Sequence, residues 1–245
     1  VSGRPPVAVI IGAGDATGGA IARAFAAEGM TACIVRRATG ADKLEALAQS
    51  IRDSGHAARA VAGDARDEDF MVSLFDQVEA DVGPVEVAVF NIGANVNFGI
   101  RETTARVYRK VWEMAAFAGF LMGREAARVM VPRGAGTIIF TGATASVRGG
   151  TGYAAFAGAK GALRMLAQSM ARELGPQGIH VAHAIIDGPI DTAFIAERHP
   201  DFDAAKAADL LLSPAAIADA YVGLHKQPKS AWTHELDLRP WGERW

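Results

Sequence analysis

Cysteine is nearly absent from this chain. Among 245 residues only Cys33 occurs, so no disulfide can close within it and a reducing, cytoplasmic location is expected. No apolar run approaches the ~18–20 residues of a membrane span. The first strand pattern begins within a few residues of the start, so no signal peptide is expected. Charge of one sign is also lacking. With a formal net charge of −2, the chain offers no electrostatic case for nucleic acid or an anionic membrane. No His/Cys/Asp/Glu cluster has metal-ligand spacing, so no metal is expected. Linkers, repeats and low-complexity segments are missing too, and one domain spanning 1–245 is expected. What the chain does have is apolar residues, 50% of the total, enough for the core of one large α/β domain.

Strand and helix patterns alternate along it. A short continuous apolar run predicts a strand over Val7–Ile11, and further strands are read over Thr31–Val35, Ala57–Ala62, which is weaker, Val85–Phe90, Thr137–Thr141, His180–Ile186 and Ala231–Leu236. Helical spacing predicts helices over Thr17–Glu28, Ala41–Ser54, Asp67–Asp81, Thr104–Val131, Gly152–Gly175 and Pro214–His225. The strict βαβα order implies an α/β fold, a doubly wound parallel sheet of about seven strands with helices on both faces. A long loop, Gly188–Leu212, stands where a substrate lid is expected.

The first strand runs straight into Gly12-Ala13-Gly14-Asp15-Ala16-Thr17-Gly18-Gly19. Glycines let the backbone turn tightly and approach a pyrophosphate seated at the N-terminus of the following helix, so this is a candidate dinucleotide loop. Arg36 and Arg37 follow the second strand, where two guanidinium groups suit a 2′-phosphate. NADP is therefore the expected cofactor. Asp15 argues for NAD, which remains the alternative. Gly63-Asp64-Ala65 follows the third strand, and Asn91-Ile92-Gly93 ends the fourth. Taken alone, Asp64 reads as a helix cap and Asn91 as a turn residue.

The stretch Gly152-Tyr153-Ala154-Ala155-Phe156-Ala157-Gly158-Ala159-Lys160 resembles the active-site helix of the short-chain dehydrogenase/reductase superfamily. With the glycine loop, Asp64 and Asn91, the resemblance runs from Val7 to about Thr192 and implies a Rossmann-type fold. It implies that Gly12, Asp15, Ala16, Thr17 and Gly18 hold the pyrophosphate end of the cofactor. It further implies that Asp64 and Ala65 meet the adenine, and that Asn91, Ile92 and Gly93 lie beside its ribose. Lys160 with Gly188, Ile190 and Thr192 would then meet the nicotinamide end. The family writes its loop Gly-x-x-x-Gly-x-Gly, and Ala16 holds the middle glycine position.

The catalytic pattern departs further from the family. The family's Tyr, four residues before the Lys, is Phe156 here, and a phenyl ring exchanges no proton. Its Ser is Ala143. Its Asn aligns with Ala115, and no Asn occurs after Asn97 under any alignment. Lys160 remains, with Tyr153 seven residues before it, a Tyr-x6-Lys spacing like that of divergent enoyl reductases. Positions i and i+7 share a helical face about 10.5 Å apart along the axis. Tyr153 is thus either an oxyanion donor to a conjugated substrate or a half-buried aromatic. Thr141, Thr144 and Ser146 are candidates for the missing Ser hydroxyl. Asp187 is either an acid near the substrate or a turn residue, and His183 reads as a buried structural His.

Three functions follow: an NADP-dependent reductase of an activated C=C bond; a cofactor-binding protein with little catalysis and a regulatory role; or a carbonyl reductase drawing its proton from Asp187, Ser146 or water. Each takes a small-molecule substrate or cofactor. The segments Thr104–Val131 and Ala154–Gly175 are apolar on more than one face, and the C-terminal run contains Trp241 and Trp245. A homodimer or homotetramer is therefore expected.

Overall fold

Seven parallel strands form one sheet in the order β3-β2-β1-β4-β5-β6-β7. In the computed structural model, which describes residues 3–243, they are β1 (Val7–Ile11), β2 (Thr31–Arg36), β3 (Ala58–Ala62), β4 (Val85–Phe90), β5 (Gly136–Thr141), β6 (Ile179–Ile186) and β7 (Glu235–Leu238). β1 and all eight residues of β6 are buried, which explains the unbroken apolar run of β1 and the mostly apolar run of β6, broken only by His180 and His183. The helices are α1 (Thr17–Ala27), α2 (Ala41–Asp53), α3 (Glu68–Gln77), α4 (Ala105–Trp112), α5 (Ala118–Met130), α6 (Ala154–Leu174), α7 (Ala193–Ala196), α8 (Phe202–Ala207) and α9 (Pro214–His225). A single π turn, Glu113–Phe117, joins α4 to α5 into one long bent segment.

Alternation along each strand feeds two cores. Val9, Ile11, Phe90, Ile138 and Phe140 face Phe75, Leu121, Met122 and Leu163 from α3, α5 and α6. Ile10, Ile34, Val89 and Ile139 face Ile21, Phe25, Leu44, Ile217 and Tyr221 from α1, α2 and α9. Each fully buried Ile or Phe contributes about 1.5–3 kcal/mol relative to an exposed one. Ala115, Ala155 and Ala159 form a third, small-residue contact where α4 and the π turn meet α6.

Two expectations need correction. The last strand is Glu235–Leu238 rather than Ala231–Leu236. Lys229–Ala231 is instead a tight turn, and the Trp232 indole donates to the Gln227 carbonyl, so pairing with β6 begins at His183↔Glu235. The Gly188–Leu212 segment is not an unstructured loop, since it carries α7 and α8. Its ends are tied together where Leu212 N donates to Pro189 O and Asp191 N donates to Leu212 O.

Candidate active site

Strand order reverses between β1 and β4, opening a crevice at their C-terminal ends. Gly12 stands there at φ +91°, and a Cβ on it would lie 2.8 Å from the Asn91 carbonyl oxygen. A Cβ on Gly18 would lie 2.5 Å from the Gly12 oxygen. These two glycines let α1 start hard against the sheet. Asn91 Nδ2 donates to Gly12 O at 3.2 Å and fixes the turn. Ala16 gives α1 no side-chain cap, and no acidic residue occupies its first turn, so the opening N–H groups of α1 are left for another acceptor.

From Thr17, Asn91, Ile92 and Gly93 a cleft of about 580 Å³ runs to Ile190, Thr192, Phe194 and Ile195. Lys160 and Phe156 of α6 and Tyr153 just before it line it, with Thr141 at the end of β5 and Ala143, Thr144 and Arg148 after it. Lys160 is 2% exposed. Its Nζ donates to Thr141 O at 2.7 Å and Ile92 O at 2.9 Å and lies 5.9 Å from the Phe156 ring centre. Burial pushes its pKa down to about 7, because the buried site solvates an ammonium poorly. Tyr153 is half-buried at the start of α6, and its hydroxyl has no hydrogen-bond partner among the described residues.

Other hydroxyls are committed. Thr141 Oγ1 and the buried Tyr221 hydroxyl share a 2.9 Å bond. Thr144 Oγ1 donates to Asp187 Oδ1 at 2.5 Å. Asp187 is buried, with Arg239 3.6 Å and Arg148 3.8 Å from its oxygens. The cleft lining includes Gly188 but not Asp187. Ser146 Oγ accepts from Ala143 N at 3.1 Å, holding the turn after β5. Behind that turn His183 is fully buried, its Nδ1 3.2 Å from Glu235 Oε2. Glu235 in turn takes both Arg164 donors at 2.6 and 2.7 Å.

At the crevice's other end Arg36 Nη1 stands 3.4 Å from Asp15 Oδ1, with Lys43 Nζ 3.6 Å from Oδ2. Arg37 is exposed beside them. Asp64 is held by Arg66 through its guanidinium and its backbone N–H, and these bonds keep the Asp64 carboxyl below the usual carboxylate range. Asp67, not Asp64, caps α3 by accepting from Phe70 N.

The model of the short chain dehydrogenase family matches residues 6–202. The chain belongs to the short-chain dehydrogenase family. It is 32% identical to the cis-4-hydroxycyclohexanecarboxylate dehydrogenase of Sinomonas cyclohexanicum over 219 residues, 87% of this chain and 86% of that protein. A short-chain dehydrogenase from Rhodopseudomonas palustris is 51% identical, with a TM-score of 0.82 over 97% of this chain and 99% of that one. A metagenomic short-chain oxidoreductase in complex with NADP, 22% identical, shares the fold with a TM-score of 0.77 over 96% and 97% of the two chains.

Within this dehydrogenase fold the sequence-selected residues fall into three groups. Thr17, Asn91, Ile92, Gly93, Tyr153, Lys160, Gly188, Ile190 and Thr192 line one cleft. Gly12, Asp15, Ala16, Gly18, Arg36 and Arg37 stand around the α1 end of the crevice, outside that lining. Asp64 is engaged by Arg66, and Ala65 is buried in the core. Ala115, at the position of the family's Asn, is buried in the π turn against α6. Sequence reasoning missed Arg148, Phe194 and Ile195 in the lining, Lys43 beside Asp15, and Glu235 and Arg164 beside His183. Only contacts between distant segments single these out, and their local sequence carries no motif.

Proposed function

We propose that this family member is an NADP(H)-dependent oxidoreductase whose acid–base work falls to Tyr153 and Lys160, with an activated C=C or a carbonyl group as its target. The observation that carries the reading is Lys160, tied to two backbone carbonyls at the floor of a cleft that opens beside α1. The residues fit a dinucleotide. A Cβ on Gly14 or Gly93 would meet nothing within 4 Å, which leaves room beside the uncapped N-terminus of α1. Arg36 and Lys43 both approach Asp15, and the exposed Arg37 follows Arg36 in the chain, a basic cluster that favours the 2′-phosphate of NADP over a bare ribose. Bound there, the nicotinamide supplies or accepts a hydride.

The chain's own residues do the rest. With Phe156 unable to move a proton, Tyr153 beside it presents an unengaged phenolic hydroxyl to developing oxygen charge. Lys160 orients the cofactor ribose, and its lowered pKa lets it exchange a proton near neutral pH. Ile190, Phe194 and Ile195 of the lid segment give the cleft an apolar wall for the substrate. A second reading, a cofactor-binding subunit with little catalysis, draws support from Phe156, Ala143 and Ala115 together and from the committed hydroxyls of Thr141 and Thr144. Two measurements separate them: an NADP and NAD titration, and nicotinamide turnover over a panel of enoyl thioesters and ketones. Turnover supports the first reading, binding without turnover the second, and absence of binding contradicts both.

A further inference from the structure

The charge of the cleft is one-sided. Among its described lining residues the charged ones are Lys160 and Arg148, and no carboxylate joins them. Lys160 is buried and already bonded to two carbonyls. Arg148 differs. It follows the short turn Thr144–Ser146, and its side chain is half exposed. Its guanidinium's one polar contact among the described residues is the 3.8 Å approach to Asp187, beyond hydrogen-bond length. Asp187 does not depend on it, having the Thr144 hydroxyl and Arg239 as well. A guanidinium that makes no hydrogen bond among the described residues, and whose neighbouring carboxylate, Asp187, is already held by Thr144 and Arg239, can take a further anion at the cleft wall.

The rest of the wall defines what that anion is attached to. Phe156, Phe194, Tyr153, Ile190 and Ile195 make the lining largely apolar. Phe194 is 52% exposed, with the Arg198 guanidinium stacked on it 3.8 Å from the ring centre. A large aromatic held this way at the cleft mouth has apolar surface to bury against a ligand. The phosphates of a dinucleotide would lie at α1 and at Arg36, the far side of the crevice from the turn that carries Arg148. We infer that the substrate is an organic carboxylate with a cyclic or otherwise bulky apolar body. Arg148 holds its carboxylate, and Phe156, Phe194 and the lid isoleucines cover its body. This rests on the cleft being the substrate site of the proposed oxidoreductase; the carboxylate itself takes no part in bond making.

The test is a binding measurement independent of turnover. Cyclohexanecarboxylate and its neutral counterpart cyclohexanecarboxamide are titrated calorimetrically into the full chain, with and without saturating NADP. The variants are Arg148→Ala and Arg148→Lys, both on an exposed turn. The native protein should bind the acid roughly tenfold or more tighter than the amide. Arg148→Ala should erase that preference and leave the NADP affinity unchanged, and Arg148→Lys should keep part of it. Equal binding of acid and amide, binding of neither, or a preference that survives Arg148→Ala overturns the proposal. So does an equal loss of NADP affinity in Arg148→Ala, which would make Arg148 a cofactor residue. A protein that binds no NADP yet prefers the acid through Arg148 keeps this inference while the oxidoreductase reading fails.

Discussion

We propose that Arg36, the last residue of β2, and Arg37 after it set a preference for NADP. Arg36 leans on Asp15, an exposed pair worth little by itself, so the guanidinium is free to turn to a phosphate. Replacing Arg36 and Arg37 with Ala should weaken NADP by roughly tenfold for each charge-assisted bond lost while barely changing NAD. Fluorescence titration of both cofactors checks this; equal weakening of the two would remove the 2′-phosphate assignment. The glycines sort in the same way. Gly18→Ala forces a methyl to within 2.5 Å of the Gly12 oxygen and should destabilise the fold by about 1–3 kcal/mol, seen as a lower Tm. Gly14→Ala meets open space, so its Tm should hold while dinucleotide affinity falls. Loss of stability in both, or in neither, would show that the crevice is not the cradle described.

β6, β7 and α6 are joined by a polar chain, His183–Glu235–Arg164, in which His183 is buried and the other two are partly exposed. Burial pushes the His183 imidazole down to about 4, outweighing the pull of Glu235 the other way. The unfolded chain takes this proton near pH 6.5, the native one only near 4. Between those values the unfolded state binds more protons, so His183 costs stability as pH falls through that window, on the order of 1.4 kcal/mol per unit. His180 and His225 are lowered by burial as well, so the whole protein should lose stability on acidification. His183→Gln should flatten part of this slope in denaturant titrations at pH 7 and pH 5. An unchanged slope would mean that His183 is already protonated in the folded protein.

At the scale of the whole molecule, the long segment α4–α5 and α6 leave aromatic and apolar groups outward. Tyr108, Trp112, Phe120 and Met165 are 40–50% exposed, and Trp112, Phe117 and Phe120 stack in a row. Such a stripe needs a partner, and we propose a closed homodimer or homotetramer. Light scattering at micromolar concentration should give a multiple of the chain mass; a single species near 25.6 kDa contradicts it. Trp241, 80% exposed, is available to a second interface, while Trp245 lies outside the described residues.

The fold was legible because the central strands are rich in buried apolar residues, unbroken in β1, and each turn into a long helix carries glycine or a capping residue. β7 was misplaced because its residues are half-buried and mixed in character, so pairing with β6, not hydropathy, sets its start. α7 and α8 are too short to show a helical period. The spacing of Tyr153 and Lys160 was legible in the sequence, and both side chains line one cleft, although Tyr153 stands just before α6 rather than on it. The grip of Thr141 and Ile92 on Lys160, the bond from Thr144 to Asp187 and the exposure of Arg148 were not, since each joins segments far apart in the chain.

The most direct test of the central claim is the transfer of hydride from NADPH to a conjugated enoyl thioester or ketone, followed by loss of nicotinamide absorbance in single turnovers. The native protein should show turnover. Tyr153→Phe should lower it by ~10²–10³ with cofactor affinity nearly intact, as removal of an oxyanion donor does. Lys160→Ala should lower both. A Tyr153→Phe protein as fast as the native one, or a native protein that binds NADPH and transfers nothing to any acceptor, would contradict the account.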